Sequence, residues 1–510
     1  MKSSVQLLVI VIALALSQAS LAADDPLTSP TSPTSIETVQ ARIDALQKEL
    51  DALKQAQQKK TAPAQEQPRV TFNGNRAAIT SANGDSSIAV RALVQADAAM
   101  YDQATAGPLI SDYRRGSVGG ATNRENTAAR DLSSGIYFRR ARFGLEGTIA
   151  RDFGYRLMVE LGGAGTEGQG RINDAWLSYS GFAPFTLQIG AFSPASNLDD
   201  STGVDATDFL ERATPSELSR TLGGADGRIG VGIRGNGDRW MSALTLTSRT
   251  VIDPEVFDSQ VALVGRAGFQ ILTNADYTLH LGASGTYVMH PADQGIDASG
   301  ARKFVRFRER PELRVDSTRL IDTGNIDANH AYVVGAELAG NWRSLFAQAE
   351  NFWFGVDRNS SLSDPHFGGY YIQSTWTITG EAHRYNKATA SYQSPKPARP
   401  YDARGGIGAW ELALRYSHMD LNFESGDAGT APSINAIRGG VQDIRTFGVN
   451  WYLSQSLRFT LDYQLVDIDR LNPAGPGNAA PFGATPATPP VGAQIGQHYN
   501  AVSLRSQFSF

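Results

Sequence analysis

The 510-residue chain contains no cysteine, which excludes disulfides, thiolate metal sites, cysteine nucleophiles and a lipid-modified N-terminal cysteine. Rigidity must come from hydrogen bonding and packing. Histidine is scarce. His280, His290, His330, His366, His383, His418 and His498 show neither metal-ligand spacing nor a nucleophile-base motif, so the sequence predicts no enzyme, no metal site and no other cofactor. Long apolar runs are also lacking: Val5 to Leu16 is too short to span a bilayer, and no later segment approaches the ~20 apolar residues of a membrane helix. Lysine nearly vanishes after Lys60, where only Lys303, Lys387 and Lys396 remain. Positive charge in the main body is therefore carried by arginine, whose planar fork suits bidentate contacts with anions. A formal net charge of -5 argues against a general nucleic-acid binder and still permits a local basic track.

What is present falls into a leader, a short helix and a long body. Lys2, the apolar run and the small residues ending Ser20-Leu21-Ala22 have the layout of a secretory signal peptide, residues 1–22. A Pro/Ser/Thr-rich spacer follows over 23–35. Ile36, Val39, Ile43, Leu46, Leu50 and Leu53 then repeat at 3-4-3-4-3 spacing with charged and amide residues between them, which predicts a coiled-coil helix over 36–58. The seam covers about two and a half heptads, short enough to need other contacts that hold chains together, and its residues leave dimer and trimer open. Residues 59–68 form a polar linker.

From Arg69 to Phe510 the hydrophobic period is two. Trp410, Leu412, Leu414 and Tyr416 alternate with Glu411, Ala413, Arg415 and Ser417. Leu457, Phe459, Leu461, Tyr463 and Leu465 alternate with Arg458, Thr460, Asp462 and Gln464. With 51 glycines and 9% aromatics, this predicts an all-β fold over 69–510: a transmembrane antiparallel β-barrel, apolar outside and polar inside, in contact with outer-membrane lipid. Segments of this kind begin near Val70, Ser87, Tyr137, Phe153, Ile172, Thr186, Arg228, Trp240, Gln260, Tyr277, Arg302, Tyr332, Ser344, Gly369, Ile407, Ile444, Ser456 and His498, giving 16 to 18 strands. Only Ser-Gln-Ser separates the last two runs before the long Pro/Gly/Ala-rich stretch from Leu471 to Gln497. Short turns at one end and long loops at the other are expected of such a barrel.

One stretch stands out chemically. In Ala301-Arg-Lys-Phe-Val-Arg-Phe-Arg-Glu-Arg310, alternation puts Arg302, Arg306, Arg308 and Arg310 on one face and Val305 and Phe307 on the other. Four guanidiniums in a row can bind an anion and hand it on. A solvated strand face is the bland reading of the same pattern.

Four blocks resemble the phosphate-selective porin O/P family of Gram-negative outer membranes: Tyr137-Phe-Arg-Arg-Ala-Arg-Phe-Gly-Leu-Glu-Gly-Thr148; Gly369-Tyr-Tyr-Ile-Gln373 with Thr377-Ile-Thr-Gly-Glu381; Ile407-Gly-Ala-Trp-Glu-Leu412; and Phe447-Gly-Val-Asn-Trp-Tyr452. The closing Leu504-Arg-Ser-Gln-Phe508-Ser-Phe510 is similar to the last strand of outer-membrane proteins. The resemblance implies a 16-stranded barrel, a homotrimer, a constriction loop folded into the lumen near 191–222, and passive diffusion of phosphate, polyphosphate or similar inorganic anions. It also implies that Arg139 and Arg140 belong to the central anion site with Asp174, and that Arg302, Arg306, Arg308 and Arg310 form an arginine ladder. Strict alternation agrees for Arg140 but leaves Arg139 on the face of Phe143 and Leu145, so a bulge or a rim shift must turn it inward, or it snorkels. Where the family carries a lysine on the constriction loop, this chain reads Ser196-Asn-Leu-Asp-Asp200, while Arg212 and Arg220 are candidates to face the lumen. The second expectation is therefore a weakly selective porin for small solutes or organic anions.

Overall fold

The computed structural model describes residues 36–61, 67–73, 76–107, 112, 114, 131–163, 170–297, 300–473 and 490–510. The expected signal peptide and spacer lie outside the described residues. The chain divides into two units, 1–66 and 67–510.

In the first unit the heptad stretch forms one helix, α1 (Ile36–Thr61), three residues longer than its hydrophobic seam predicts. Ile43, Leu46, Leu50 and Leu53 are 42% to 64% exposed. Within one chain, the seam remains uncovered.

The second unit is built on sixteen barrel strands: β1 (Ser87–Asp102), β2 (Gly135–Ile149), β3 (Phe153–Glu160), β4 (Arg171–Phe182), β5 (Phe185–Phe192), β6 (Arg228–Asn236), β7 (Trp240–Thr250), β8 (Val261–Thr273), β9 (Tyr277–His290), β10 (His330–Trp342), β11 (Leu345–Asp357), β12 (His366–Thr377), β13 (Ala409–Phe423), β14 (Ile437–Tyr452), β15 (Leu457–Asp469) and β16 (His498–Ser509). Each pairs antiparallel with its sequence neighbour, and β16 pairs with β1 from Asn500↔Asp102 to Ser509↔Leu93, which closes the sheet and removes its edges. Ahead of β1, Arg69–Asn73 and Arg76–Thr80 form a hairpin whose second strand pairs with the start of β1. Of the eighteen expected strand starts, sixteen fall in the barrel wall. Val70 belongs to this hairpin, and Arg302 lies in a connection.

Alternation sets the two faces. On β15, Arg458, Thr460, Asp462 and Gln464 point inward and are buried, while Leu461 and Tyr463 stand outward and exposed. Trp410, Trp451 and Phe459 stack in sequence on the outer wall near the short-turn end, with centroids 5.0 and 6.0 Å apart. Tyr287, Tyr332 and Trp353 are exposed near the other end, so aromatic belts flank an apolar band. Short-turn connections such as 150–152, 183–184 and 343–344 contrast with the long ones over 103–134, 193–227, 291–329 and 470–497. Ala150 and Arg151 both take positive φ, as a tight hairpin turn with right-handed strand twist requires.

One connection breaks the asymmetry. Residues 378–408 join β12 to β13 at the short-turn end, yet they fold back into the barrel around a small hairpin, Arg384–Asn386 with Ser391–Gln393. Tyr385 bonds His280 of β9 (2.9 Å), and Arg266 of β8 donates to the carbonyls of Thr389 and Ala390 at 2.6 and 2.8 Å.

The arginine row is not a wall strand, which corrects the expectation. It lies within the 291–329 connection as two short pieces, Phe304–Val305 paired with Ile326–Asp327 and Arg308–Glu309 paired with Ile321–Asp322. Its apolar face is buried against the inside of the barrel, not against lipid: Phe307 meets Phe354 and Phe367 edge-on at 5.5 and 5.7 Å. Apolar residues on the inner face of β11 and β12 made this docking favourable, and the alternating pattern of 301–310 is the same for either partner surface.

Candidate functional site

The constriction connection, 193–227, carries two helical pieces, α2 (Leu198–Ser201) and α3 (Thr214–Gly223). It is tied to the wall where the backbone N–H groups of Leu198 and Asp199 donate to the Glu350 carboxylate at 2.8 and 3.0 Å, and where Gln442 donates to Thr214 Oγ1 at 2.6 Å. Of Asp199 and Asp200, the apparent obstacle to anions, the second is neutralised locally and the first is buried. Asp200 pairs with Arg220 at 2.6 Å and with Arg212 at 3.6 Å, and Asp199 accepts from the Ala213 N–H. Arg212 and Arg220 are accordingly buried in the connection.

At the neck, four guanidiniums gather around Glu211 of the same connection. Arg139 Nε donates to Oε1 at 2.7 Å, Arg505 Nη2 to the same oxygen at 2.7 Å, and Arg314 and Arg140 lie 3.5 and 3.8 Å from Oε2. Arg505 is also held in a fork by Asp97, its direct cross-strand partner, with both contacts at 2.7 Å. Burial alone would raise the Glu211 carboxyl, but Arg139, Arg140, Arg505 and Arg314 outweigh it and hold the group well below the usual carboxylate range. Arg139 reaches the lumen through a β-bulge: Gln95 of β1 faces Arg140 while Ala96 faces Phe138, leaving Arg139 as the extra residue. Arg140 donates to Gln95 at 2.7 Å, and its buried Nε has no partner among the described residues.

Asp174 does not join this group. It accepts from Asn173 at 3.1 Å and lies 3.9 Å from Arg156, toward the short-turn end. The acid facing Arg139 and Arg140 is Glu211, which the sequence reading missed because a loop carboxylate carries no periodicity.

The row divides into three environments. Arg302 pairs with Asp293 at 3.1 Å and stands over the Phe257 ring. Arg306 is ion-paired with Asp322, and Arg308, exposed on the same face, makes no ion pair among the described residues. Both line a cleft of ≈ 530 Å³ beside α3. Arg310 is fully buried, 3.7 Å from Glu309.

On the opposite side of the neck, a cleft of ≈ 700 Å³ is lined by Arg76, Arg91, Arg142, Arg156, Arg234 and Arg384 together with acidic residues that include Asp174 and Asp226. Glu146 is shared by Arg76, Arg91 and Arg156 at 2.8, 3.1 and 2.7 Å, and Arg142 pairs with Glu160 and Asp226 at 2.7 and 2.6 Å. Arg234 on β6 and Arg384 on the inward hairpin are exposed and without ion pairs among the described residues. No sequence signal grouped these arginines, since they lie on strands and loops far apart in the chain.

The geometry meets its relatives here. The sequence profile of the family described as Phosphate-selective porin O and P matches residues 112–481. Porin O of Pseudomonas aeruginosa is 26% identical over 384 residues, 72% of this chain and 83% of that protein. An uncharacterised protein of Caulobacter vibrioides is 27% identical over 363 residues, 68% of this chain and 66% of its own length. Among solved structures, a loop-deletion form of OmpT, an outer membrane protein of Vibrio cholerae, superposes with a TM-score of 0.46 at 11% identity, covering 84% of this chain and 100% of that one. With the closed sixteen-stranded barrel and its inward-folded connections, the profile match shows that the chain belongs to the phosphate-selective porin O and P family of Gram-negative outer-membrane porins.

Proposed function

We propose that the protein is a passive channel for phosphate-like anions, which move along arginines on either side of the Glu211 neck. The observation that carries this reading is the distribution of arginines without ion pairs among the described residues, Arg308 before the neck and Arg234 and Arg384 beyond it, with Arg140 held at the neck beside Glu211. A conducting site must attract the ion and still release it, and several similar sites in series do both. An anion keeps one guanidinium while it acquires the next. Each exposed contact contributes only about 1 kcal/mol in water, but the field in a narrow lumen is less screened. Glu211 keeps the neck from becoming a trap by competing for the same donors. Flux follows the concentration gradient, and no step needs catalysis. The functional unit in this reading is a homotrimer, with the uncovered seam of α1 joining chains.

The reversal potential of the purified protein in a planar bilayer under a chloride gradient, followed by phosphate titration, tests the proposal. Anion preference with phosphate blocking chloride current at low concentration is expected. The weakly selective reading is favoured by the many arginines that already hold acids, Arg306 with Asp322 and three around Glu146. It predicts a near-zero potential and no block.

A further inference from the structure

We propose that Asp208, His383 and Glu411 form a site for one divalent transition ion, Zn2+ by its donor chemistry, which staples the constriction connection and the inward-folded turn to the barrel wall. The three residues come from three separate segments: Asp208 from 193–227, His383 from 378–408 and Glu411 from the inner face of β13. All three are buried, and one ligand atom from each lies within 4.8 Å of the others. His383 Nε2 is 2.6 Å from Glu411 Oε2 and 3.9 Å from Asp208 Oδ1. One imidazole nitrogen and two carboxylate oxygens converging in this way suit Zn2+, which binds such atoms at about 2.0–2.2 Å and takes water as a fourth ligand.

The surrounding contacts hold each ligand in place. Glu411 Oε1 accepts from Tyr452 at 2.8 Å and from Asn450 at 3.1 Å, Asp208 Oδ2 accepts from Gln373 at 3.0 Å, and the His383 ring stacks on Phe346 with centroids 4.4 Å apart. Shells of this kind orient metal ligands and strengthen binding. Beside Asp208 and His383 is a pocket of ≈ 10 Å³, about the size of one small occupant, which Gln373 and Thr207 also line. Gln373 Oε1 and Thr207 Oγ1 are buried without a hydrogen-bond partner among the described residues. They are oxygen acceptors left without a donor beside this space, which Arg415 also lines while its Nη atoms are held by Glu312 and the Glu211 carbonyl.

Charge points the same way. Two buried carboxylates face one imidazole, and holding both in ionised form without a balancing cation is costly. Arg458 does not supply the balance directly, because its Nη atoms donate to the Thr207 carbonyl and to Gln507. A divalent ion with a neutral imidazole brings the cluster to zero.

The test uses the untagged, folded protein after exhaustive chelation and removal of the chelator. Zn2+ is added in small excess, unbound ion is removed by gel filtration, and retained zinc and the melting temperature are measured. Co2+ is added in a parallel sample, and its visible absorption reports tetrahedral ligation. Expected are one retained zinc per chain, a higher melting temperature and the cobalt bands. His383→Gln should weaken retention at least ~10-fold and abolish the bands, whereas His366→Gln, on the outer face, should behave as wild type. Asp208→Asn, which preserves shape, provides the same comparison if His383→Gln does not assemble. Wild-type protein that retains no zinc after chelation and re-addition, or variants that retain as much as wild type, would overturn the proposal and leave a hydrogen-bonded triad.

Discussion

Arg139 Nε and Glu211 Oε1 are 2.7 Å apart, and this contact joins the extra residue of the β2 bulge to the connection that narrows the lumen. Without the bulge, Arg139 would share the outer face with Phe143 and leave Glu211 one cation short. Glu211 is the point at which four guanidiniums are kept together, and in the proposed mechanism it keeps them from binding a solute too tightly.

Glu211→Gln removes the competing acid while preserving shape. The phosphate concentration for half-block of chloride current is expected to fall about tenfold, equivalent to ~1.4 kcal/mol of tighter binding, and single-channel phosphate conductance to drop as release slows. Thermal stability should fall as well, because losing one member of a buried charge network costs ~3–5 kcal/mol. Unchanged block in a folded variant would remove Glu211 from the conduction argument.

Neighbouring arginines of the row should behave differently. Arg308 has no ion pair among the described residues, whereas Arg306 is neutralised by Asp322, so Arg308→Ala should lower anion preference more than Arg306→Ala. Asp322→Asn should raise it. Reversal potentials under one salt gradient compare the three variants, and equal effects of the two alanine substitutions would contradict the pairing argument.

On the proposed conduction path, Arg234 and Arg384 in the cleft beyond the neck act through the field they add to the lumen. The double substitution Arg234→Ala/Arg384→Ala is expected to lower anion conductance severalfold at ~0.01 M salt and much less at ~1 M, where the Debye length shortens from about 30 to 3 Å. Conductance against ionic strength measures this, and a salt-independent loss would indicate blockage or misfolding.

The exposed seam of α1 makes a separate prediction. Deleting residues 36–54 should lower the temperature at which oligomers dissociate on a semi-denaturing gel while leaving barrel heat-modifiability intact. An unaltered dissociation temperature would mean that α1 does not join chains.

Glu217 of α3 gives the constriction connection an acid limit. Burial raises its carboxyl, but Arg220 at 3.1 Å and Arg314 at 2.8 Å prevail and lower it to about 2. A group whose folded value lies below the unfolded ~4.3 stabilises the fold fully above that value and loses the contribution as pH falls through about 2. Open-channel noise should therefore rise between about pH 4 and 2, and Glu217→Gln should bring the same noise at pH 7.

Much of the wall was legible in the residues. Sixteen of eighteen expected strand starts belong to the barrel, because period-two alternation of large apolar and polar side chains follows directly from strand geometry and a lipid exterior. The same rule misplaced the Arg302 to Arg310 run, since Val305 and Phe307 satisfy a polar-apolar alternation equally well against lipid or against Phe354 and Phe367 inside the barrel. The bulge at Arg139 stood as one of several options. Glu211, Arg314, Arg505 and the Arg76–Arg91–Arg156 group around Glu146 were not assembled, and neither was the inward fold of 378–408, although short turns were expected at that end.

By itself the sequence determined the barrel, the polarity of its two faces, the short helix ahead of it and the reliance on arginine, because each depends on local periodicity or composition. Tertiary structure alone decided which arginines meet which carboxylates, which connections enter the lumen and which cations stay unpaired. Those outcomes depend on packing between segments hundreds of residues apart, such as Asp97 with Arg505 and Asp208 with His383, and local periodicity carries no information about such distances.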